Sequence, residues 1–147
     1  MDNQFFQRVM GDFFVSTSEL NHMNILHGGI LLTKVDTTAG TFANSFSHTR
    51  IVTGEIKDFL FYKKSHVGDH INFKITLLKT TKSTMTIYVE IDRVPIDGRE
   101  SVKIGEGILI YVAVDENLKP TPILRKYNIK SDKQRKFIDS IIKKFNI

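Results

Sequence analysis

The chain has 147 residues, 41% hydrophobic and 25% charged, a composition typical of one globular domain. It contains no Cys, which excludes disulfides, Cys-ligated zinc, iron–sulfur clusters and a cysteine nucleophile, and is compatible with a reducing compartment. No stretch approaches the roughly 18 apolar residues that cross a bilayer, and the first residues lack the pattern of a secretory signal. We therefore expect a soluble, cytoplasmic protein.

The net charge of +5 is concentrated late in the chain. Residues 119–147 carry nine Lys and Arg against two Asp, whereas residues 1–118 carry twelve basic and fourteen acidic side chains. A basic tail can attract phosphates of a nucleotide, a nucleic acid or a membrane. An ordinary solvated helix face explains the same charges, and we favour that interpretation.

The first half of the chain contains one short strand signal, at residues 13–15, and one long helical pattern, at residues 28–46. Apolar side chains recur in that pattern at spacings of three and four, which predicts a helix with one apolar stripe: Leu31, Val35, Ala39, Phe42 and Phe46. A neighbouring row is mostly small and indicates burial on more than one side: Gly29, Leu32, Asp36, Gly40 and Ala43.

Four strands are predicted after this helix. Residues 71–77 and 85–91 alternate between apolar and polar, so they form a predicted hairpin across a short polar link. Residues 51–61 form another predicted strand, and residues 108–114 are almost continuously apolar, which is typical of a central strand covered on both faces. A terminal helix is predicted near residues 132–145, with Asp132 as its N-cap.

This order predicts the α+β class, with an antiparallel sheet wrapped around one long helix. The edges of such a sheet need a partner, so we expect at least a dimer.

Asp36 is the first candidate for chemistry, because a carboxylate in an apolar helical row is costly unless it is paired, faces a cavity or is used. It is either a surface Asp or a general base or nucleophile, and its small neighbours favour the second role slightly. Gly28 and Gly29 open the same helix, and N–H groups at a helix start bind anions and developing oxyanions. His27 precedes them, and we expect it to be structural. Neither the five His nor any other group shows the spacing of a metal site, so zinc is rejected.

Several short motifs, each weak alone, resemble in their order the hot-dog-fold acyl-CoA thioesterases of the YciA and brain acyl-CoA hydrolase type. The resemblance covers roughly residues 10–123. It rests on Asn21, Phe59 and residues 27–29, 35–36, 39–40, 50–53, 67–69, 82–86, 89–90, 111–116 and 119–122. It implies one hot-dog domain over residues 1–123, with a five- to six-stranded sheet around one helix, and leaves residues 124–147 as a basic extension that contains a helix.

The resemblance also implies hydrolysis of acyl-CoA to free CoA and a fatty acid, at sites between the subunits of a dimer. Asp36 matches the catalytic carboxylate and Asn21 the catalytic Asn, and the two are expected to meet from opposite subunits. Three dimers often form a hexamer in this family. No metal or other cofactor is expected, since coenzyme A belongs to the substrate.

In the predicted mechanism, N–H groups of Gly28, Gly29 or Ile30 stabilise the oxyanion. Asp36 deprotonates water or attacks the thioester itself, and we favour the general-base route because thiolate is a good leaving group. Asn21 orients the water or the carbonyl. The CoA phosphates are assigned to Arg50 and to Lys82, Ser83 and Thr84, which offer cations and hydroxyls near strand ends.

Three other functions compete with acyl-CoA hydrolysis. A non-catalytic acyl-CoA sensor on the same fold is the main alternative, although binding alone needs neither Asn21 nor Asp36. Nucleic-acid binding is not expected, because the strands lack interleaved aromatic and basic residues. A hot-dog dehydratase would use a His–acid pair that the sequence does not show.

Overall fold

The computed structural model describes residues 6–147. Its elements are β1 (Gln7–Phe14), a 3₁₀ turn (Thr17–Glu19), α1 (Gly28–Ser47), β2 (Arg50–Phe61), β3 (His70–Thr80), β4 (Thr84–Arg93), β5 (Val102–Val114) and α2 (Asp132–Phe145). The predicted order of a strand, a long helix, four strands and a terminal helix is therefore confirmed.

The five strands form one antiparallel sheet in the order β1-β3-β4-β5-β2. β3 and β4 form the predicted hairpin. β5 is an interior strand, as its apolar run indicates, but β4 occupies the centre. β2 lies at one edge, and most of its residues are exposed.

The inner face of the sheet packs on α1. All five residues of the predicted stripe are buried, with Val35, Ala39, Phe42 and Phe46 fully so. They contact the inward side chains of β3, β4 and β5 in one cluster. Alternate residues of a strand point to opposite faces, so Tyr111 of β5 faces inward whereas Glu106 of β5 faces outward.

The outer face is partly covered by α2. Ile138, Ile141 and Phe145 of this helix are buried against Leu78, Tyr88 and Ile108 of the sheet. The predicted apolar face of the terminal helix is confirmed. Its basic residues are exposed, which is ordinary for an amphipathic helix, and Lys144 among them also pairs with Glu106 of the sheet.

Two local predictions were wrong. β1 is longer than the predicted residues 13–15 and begins at Gln7, because a register shift between Met10 and Phe13 breaks the alternation on which the prediction depended. Gly11 occupies the left-handed region there, with φ of 80°. The N-cap of α2 is Ser131, whose side chain accepts from Gln134 N, and Asp132 is the first helical residue.

Within the described part of the chain, no helix is long and apolar enough to span a bilayer. The assignment of residues 1–123 to one domain and 124–147 to an extension stays a prediction.

Candidate functional site

Asp36 is held by two hydroxyl groups from neighbouring strands. Thr53 Oγ1 of β2 donates to Asp36 Oδ1 at 2.8 Å. The Tyr111 hydroxyl of β5 lies 2.8 Å from both Asp36 Oδ1 and the Asp36 carbonyl oxygen. Both side-chain donors therefore meet the same carboxylate oxygen. No donor to Oδ2 is found among residues 6–147.

Gly40 lets Tyr111 come this close. A Cβ atom on Gly40 would lie 3.3 Å from Ile51 Cδ1, which is tighter than ordinary packing, and 3.4 Å from Tyr111 Cε1, at the near limit of ordinary contact. The aromatic ring thus packs directly on the backbone of α1, one turn after Asp36. The row of small residues in the sequence does permit a close approach, and the groups that approach come from this chain's own sheet.

The Tyr111 hydroxyl is a permanent donor. Burial of the ring raises the pKa of Tyr111 far above its usual value, and its hydrogen bond to Asp36 raises that pKa further. The phenol therefore keeps its proton at any pH at which the protein works.

Asp36 opens into a cavity of about 580 Å³. Thr53, Tyr111 and Gly40 line it, and Arg50, at the start of β2, lines it as well. The predicted phosphate ligand Arg50 is thus brought to the same cavity as the predicted catalytic carboxylate.

Lys82, Ser83 and Thr84 lie at the turn between β3 and β4, at the same end of the sheet as Arg50. Ser83 O accepts from Ala113 N and Lys82 O accepts from Ile123 N, so the backbone of this turn is fixed against β5 and the segment that follows it. These three residues do not line the Asp36 cavity. Their role in phosphate binding stays a prediction.

Asn21 lies at a second cavity, of about 290 Å³, with Gly28 and Phe61. Its side-chain oxygen accepts from Met23 N at 2.8 Å and from Ile25 N at 3.4 Å, which fixes the loop in an Asx turn. With Oδ1 committed to these backbone donors, Nδ2 is the group that Asn21 can offer to a ligand, as a hydrogen-bond donor.

The start of α1 is capped by His27. Its Nδ1 accepts from Gly29 N at 3.0 Å, and its carbonyl oxygen accepts from Ile30 N and Leu31 N. Gly29 and Ile30, two of the three predicted oxyanion donors, are therefore already engaged. Gly28 N has no partner among residues 6–147, and Gly28 borders the Asn21 cavity. The expectation that His27 is structural agrees with this geometry.

Within one protomer, the Asp36 and Asn21 cavities have no lining residue in common. Asp36 lies on the third turn of α1, in the cavity that the start of β2 also lines, whereas Asn21 and Gly28 lie near the end of β2 at Phe61. Within one protomer, the two cavities therefore lie at opposite ends of the edge strand β2.

Thr53 and Tyr111 are the site residues that sequence reasoning missed. Both fall inside the matched segments 50–53 and 111–116, but neither was assigned a role. No metal site adds to this arrangement: among residues 6–147, no three His, Asp or Glu side chains are placed to hold an ion.

An antiparallel sheet wrapped around one long helix, with a carboxylate on that helix, is the hot-dog fold of the thioesterases. The sequence model of the thioesterase superfamily matches residues 23–97. The chain belongs to this superfamily.

Two curated relatives are of similar length. The acyl-CoA thioester hydrolase YciA of Salmonella typhimurium is 31% identical over 111 residues, which cover 72% of this chain and 82% of that protein. An uncharacterized acyl-CoA thioester hydrolase of Zymomonas mobilis is 30% identical over 113 residues, covering 76% of each.

Solved structures share the fold at low identity. An apo-hexameric acyl-CoA thioesterase has a TM-score of 0.83 and 22% identity, with 94% of this chain and 87% of the other covered. A Staphylococcus aureus acyl-CoA hydrolase in complex with butyryl coenzyme A and coenzyme A has a TM-score of 0.84 and 20% identity, with 97% and 86% covered.

The Staphylococcus aureus enzyme has also been solved with an Asn, an Asp and a Thr each replaced by Ala. Those three positions are separated along its chain by the same numbers of residues that separate Asn21, Asp36 and Thr53 here.

Proposed function

We propose that this protein hydrolyses acyl-CoA thioesters to free CoA and a carboxylic acid. Membership of the thioesterase superfamily supports the reaction class, and the names of the relatives support acyl-CoA as the substrate. The observation that carries the proposal is the Asp36 carboxylate: two hydroxyls fix its Oδ1, no donor to its Oδ2 is found among residues 6–147, and the residue lines a cavity.

Asp36 acts as the general base. It removes a proton from a water molecule while the water oxygen attacks the thioester carbonyl carbon. The tetrahedral intermediate then collapses, the carbon–sulfur bond breaks, and CoA leaves as a thiolate that takes up a proton. Direct attack by Asp36 to form a mixed anhydride is the alternative route. Neither route needs a metal or an organic cofactor.

Gly28 N–H and the Asn21 amide bind the thioester carbonyl. The positive end of the α1 dipole lies at Gly28, so a developing negative charge on the carbonyl oxygen is stabilised there. Gly29 N–H adds to this only if the His27 ring turns aside, since it donates to that ring in this structure. Asn21 contributes through Nδ2, because its oxygen already holds the loop.

The complete site is formed between two subunits that pair along β2. In the described residues, β2 pairs with β5 alone and its other edge is unpaired, while Val52, Ile56 and Leu60 on it are about two-fifths exposed. Two antiparallel copies of β2 would bring the Asp36 end of one subunit to the Asn21 end of the other. Three such dimers would give the hexamer named for similar structures.

The CoA phosphates bind at Arg50, with Lys82, Ser83 and Thr84 as further contacts at the same sheet end. Arg50 is the best supported of the four, since it lines the Asp36 cavity.

Release of free thiol from acyl-CoAs of short to long chain tests the activity. We expect turnover on part of the panel, and a loss of about a hundredfold or more in kcat for Asp36→Asn, which is about 2.7 kcal/mol of transition-state stabilisation. Asn keeps the shape and can accept the Thr53 and Tyr111 hydroxyls, so the fold is retained while the base is lost. Tight binding of acyl-CoA without turnover would instead support a sensor.

Mixing of two inactive variants tests the arrangement between subunits. One chain carries Asn21→Asp, which keeps the acceptor of the loop but removes the Nδ2 donor, and the other carries Asp36→Asn. If the site takes Asn21 from one subunit and Asp36 from its partner, random co-assembly of equal amounts restores about a quarter of the active sites. A site within one subunit would give no recovery above either variant alone.

A further inference from the structure

We propose that Tyr111 is a positioning residue that fixes Oδ1 of Asp36 and so assigns the reaction with water to Oδ2. The inference rests on the proposed thioesterase function. It concerns a residue of β5 that lines the Asp36 cavity and has no step of its own in the mechanism above.

The first support is the geometry of the carboxylate. Two hydroxyl donors at 2.8 Å converge on Oδ1, one from β2 and one from β5. A carboxylate oxygen that accepts two hydrogen bonds is a weaker base than one that accepts none, because its lone pairs and charge are already engaged. The two oxygens of Asp36 are thereby made unequal, and Oδ2 is the better proton acceptor.

The second support is the difference between the two donors. Thr53 is an exposed residue of the edge strand, where a partner subunit or a substrate can reorganise its hydroxyl. Tyr111 has no exposed surface, its ring packs against Gly40, and its hydroxyl also lies 2.8 Å from the Asp36 carbonyl oxygen. The hydroxyl is therefore fixed relative to the backbone of α1. The Asp36 carboxylate, which accepts from it, is held in place relative to α1 as well.

The third support is electrostatic. The titratable groups that line the Asp36 cavity are Asp36 itself, Arg50 and Tyr111, and no cation within hydrogen-bonding distance of the carboxylate is found among residues 6–147. The two hydroxyls that orient Asp36 are neutral, so they hold the carboxylate without pairing its charge. A donor of this kind is suited to a base that must take a proton in each turnover.

The test is Tyr111→Phe, which removes one hydroxyl and keeps the ring in its packing. The matched control is Tyr88→Phe on β4. Tyr88 is also buried in the sheet, and its hydroxyl donates at 2.6 Å to the carboxylate of Glu106 on the opposite face. Both variants lose a buried hydroxyl bonded to a carboxylate, so their thermal stabilities should fall by similar amounts.

We expect Tyr111→Phe to lower kcat about tenfold with KM within about twofold of wild type, because substrate binding does not use the hydroxyl. Tyr88→Phe should leave both kcat and KM in place at temperatures where it is folded.

The inference is overturned if Tyr111→Phe keeps the wild-type kcat, if its loss appears in KM instead of kcat, or if both variants lose activity in proportion to their stability. A wild-type protein that turns over no acyl-CoA in the panel would overturn the proposed function and this inference together. Turnover by wild type combined with an unaffected Tyr111→Phe overturns the inference alone.

Discussion

Strand β5 takes part in a carboxylate network on each face of the sheet, and the two networks differ in which partners they use. On the inner face, Tyr111 donates to Asp36 together with Thr53. On the outer face, Glu106 has no exposed surface and accepts from Tyr62 and Tyr88, while Lys103 and Lys144 form ion pairs with it. Both carboxylates meet Tyr hydroxyls, but only Glu106 also meets cations.

The outer network determines the protonation state of Glu106. Burial alone would raise the pKa of Glu106, but the hydrogen bonds from Lys103, Lys144, Tyr62 and Tyr88 outweigh it and lower that pKa to about 2. Each oxygen of Glu106 is occupied by one hydroxyl and one ammonium group. Such a carboxylate has no basicity left at neutral pH, and its function is to attach α2, through Lys144, to the sheet.

Asp36, the proposed base, lacks these cations. It has two donors instead of four, both are neutral, and both act on one oxygen. The comparison teaches that burial and Tyr contacts do not by themselves mark a catalytic acid or base. The open second oxygen and the missing cation are the features that separate Asp36 from Glu106.

Of the two carboxylate networks, the one around Glu106 should matter more for stability, and Glu106→Gln tests this. Gln keeps the size of the side chain but removes the charge that two Lys face, so we expect a loss of about 2 kcal/mol in the free energy of unfolding at pH 7. Since Glu106 lies on the face away from Asp36, kcat at 25 °C should change less than about twofold. Chemical denaturation and thiol release on the same preparation check both.

The pH dependence of the stability difference between wild type and Glu106→Gln follows from the lowered pKa of Glu106. The unfolded chain protonates this group near its usual value of 4.5, and the folded chain near 2. The stabilisation is therefore fully present above about pH 4.5 and is lost as the pH falls toward 2. Wild type and variant should converge over that window. Glu116→Gln, at an exposed turn, serves as the control, and an equal loss of stability there would contradict the assignment.

The fold could be predicted from the sequence wherever one periodic pattern spans a whole element. The stripe of α1 and the alternation of β3 and β4 are patterns of this kind. β1 was underestimated because the register shift at Gly11 interrupts its period, and Glu106 was missed because its place, between two glycines before an apolar run, has no local signature.

The site could be predicted in part. Asp36 stood out because a carboxylate in an apolar row is costly, and Gly28 because it opens a helix. Thr53 and Tyr111 lie 17 and 75 residues from Asp36 along the chain, so their contacts with it depend on how the sheet is paired. The hydrogen bond from Gly29 N–H to His27 Nδ1 depends on the rotamer of His27. The spacing of residues in the sequence does not determine that rotamer.

Gly40→Ala should have the smallest effect, and it tests most specifically how Tyr111 packs on α1. The added methyl would lie 3.3 Å from Ile51 Cδ1, which must give by a few tenths of an ångström, and 3.4 Å from Tyr111 Cε1, at the near limit of ordinary contact, where it presses on the ring. Ala is the better helix former by up to about 1 kcal/mol, so stability should change little. We expect kcat to fall about threefold, because the hydroxyl that fixes Oδ1 moves with the ring.

A double-mutant cycle shows whether Gly40 acts through this hydroxyl. In a Tyr111→Phe background there is no hydroxyl to displace, so adding Gly40→Ala should leave kcat unchanged. A further threefold loss in that background would mean that Gly40 acts elsewhere, for instance on Ile51 and the start of β2. No such coupling is expected between Gly40 and Tyr88, whose hydroxyl belongs to the network on the opposite face of the sheet.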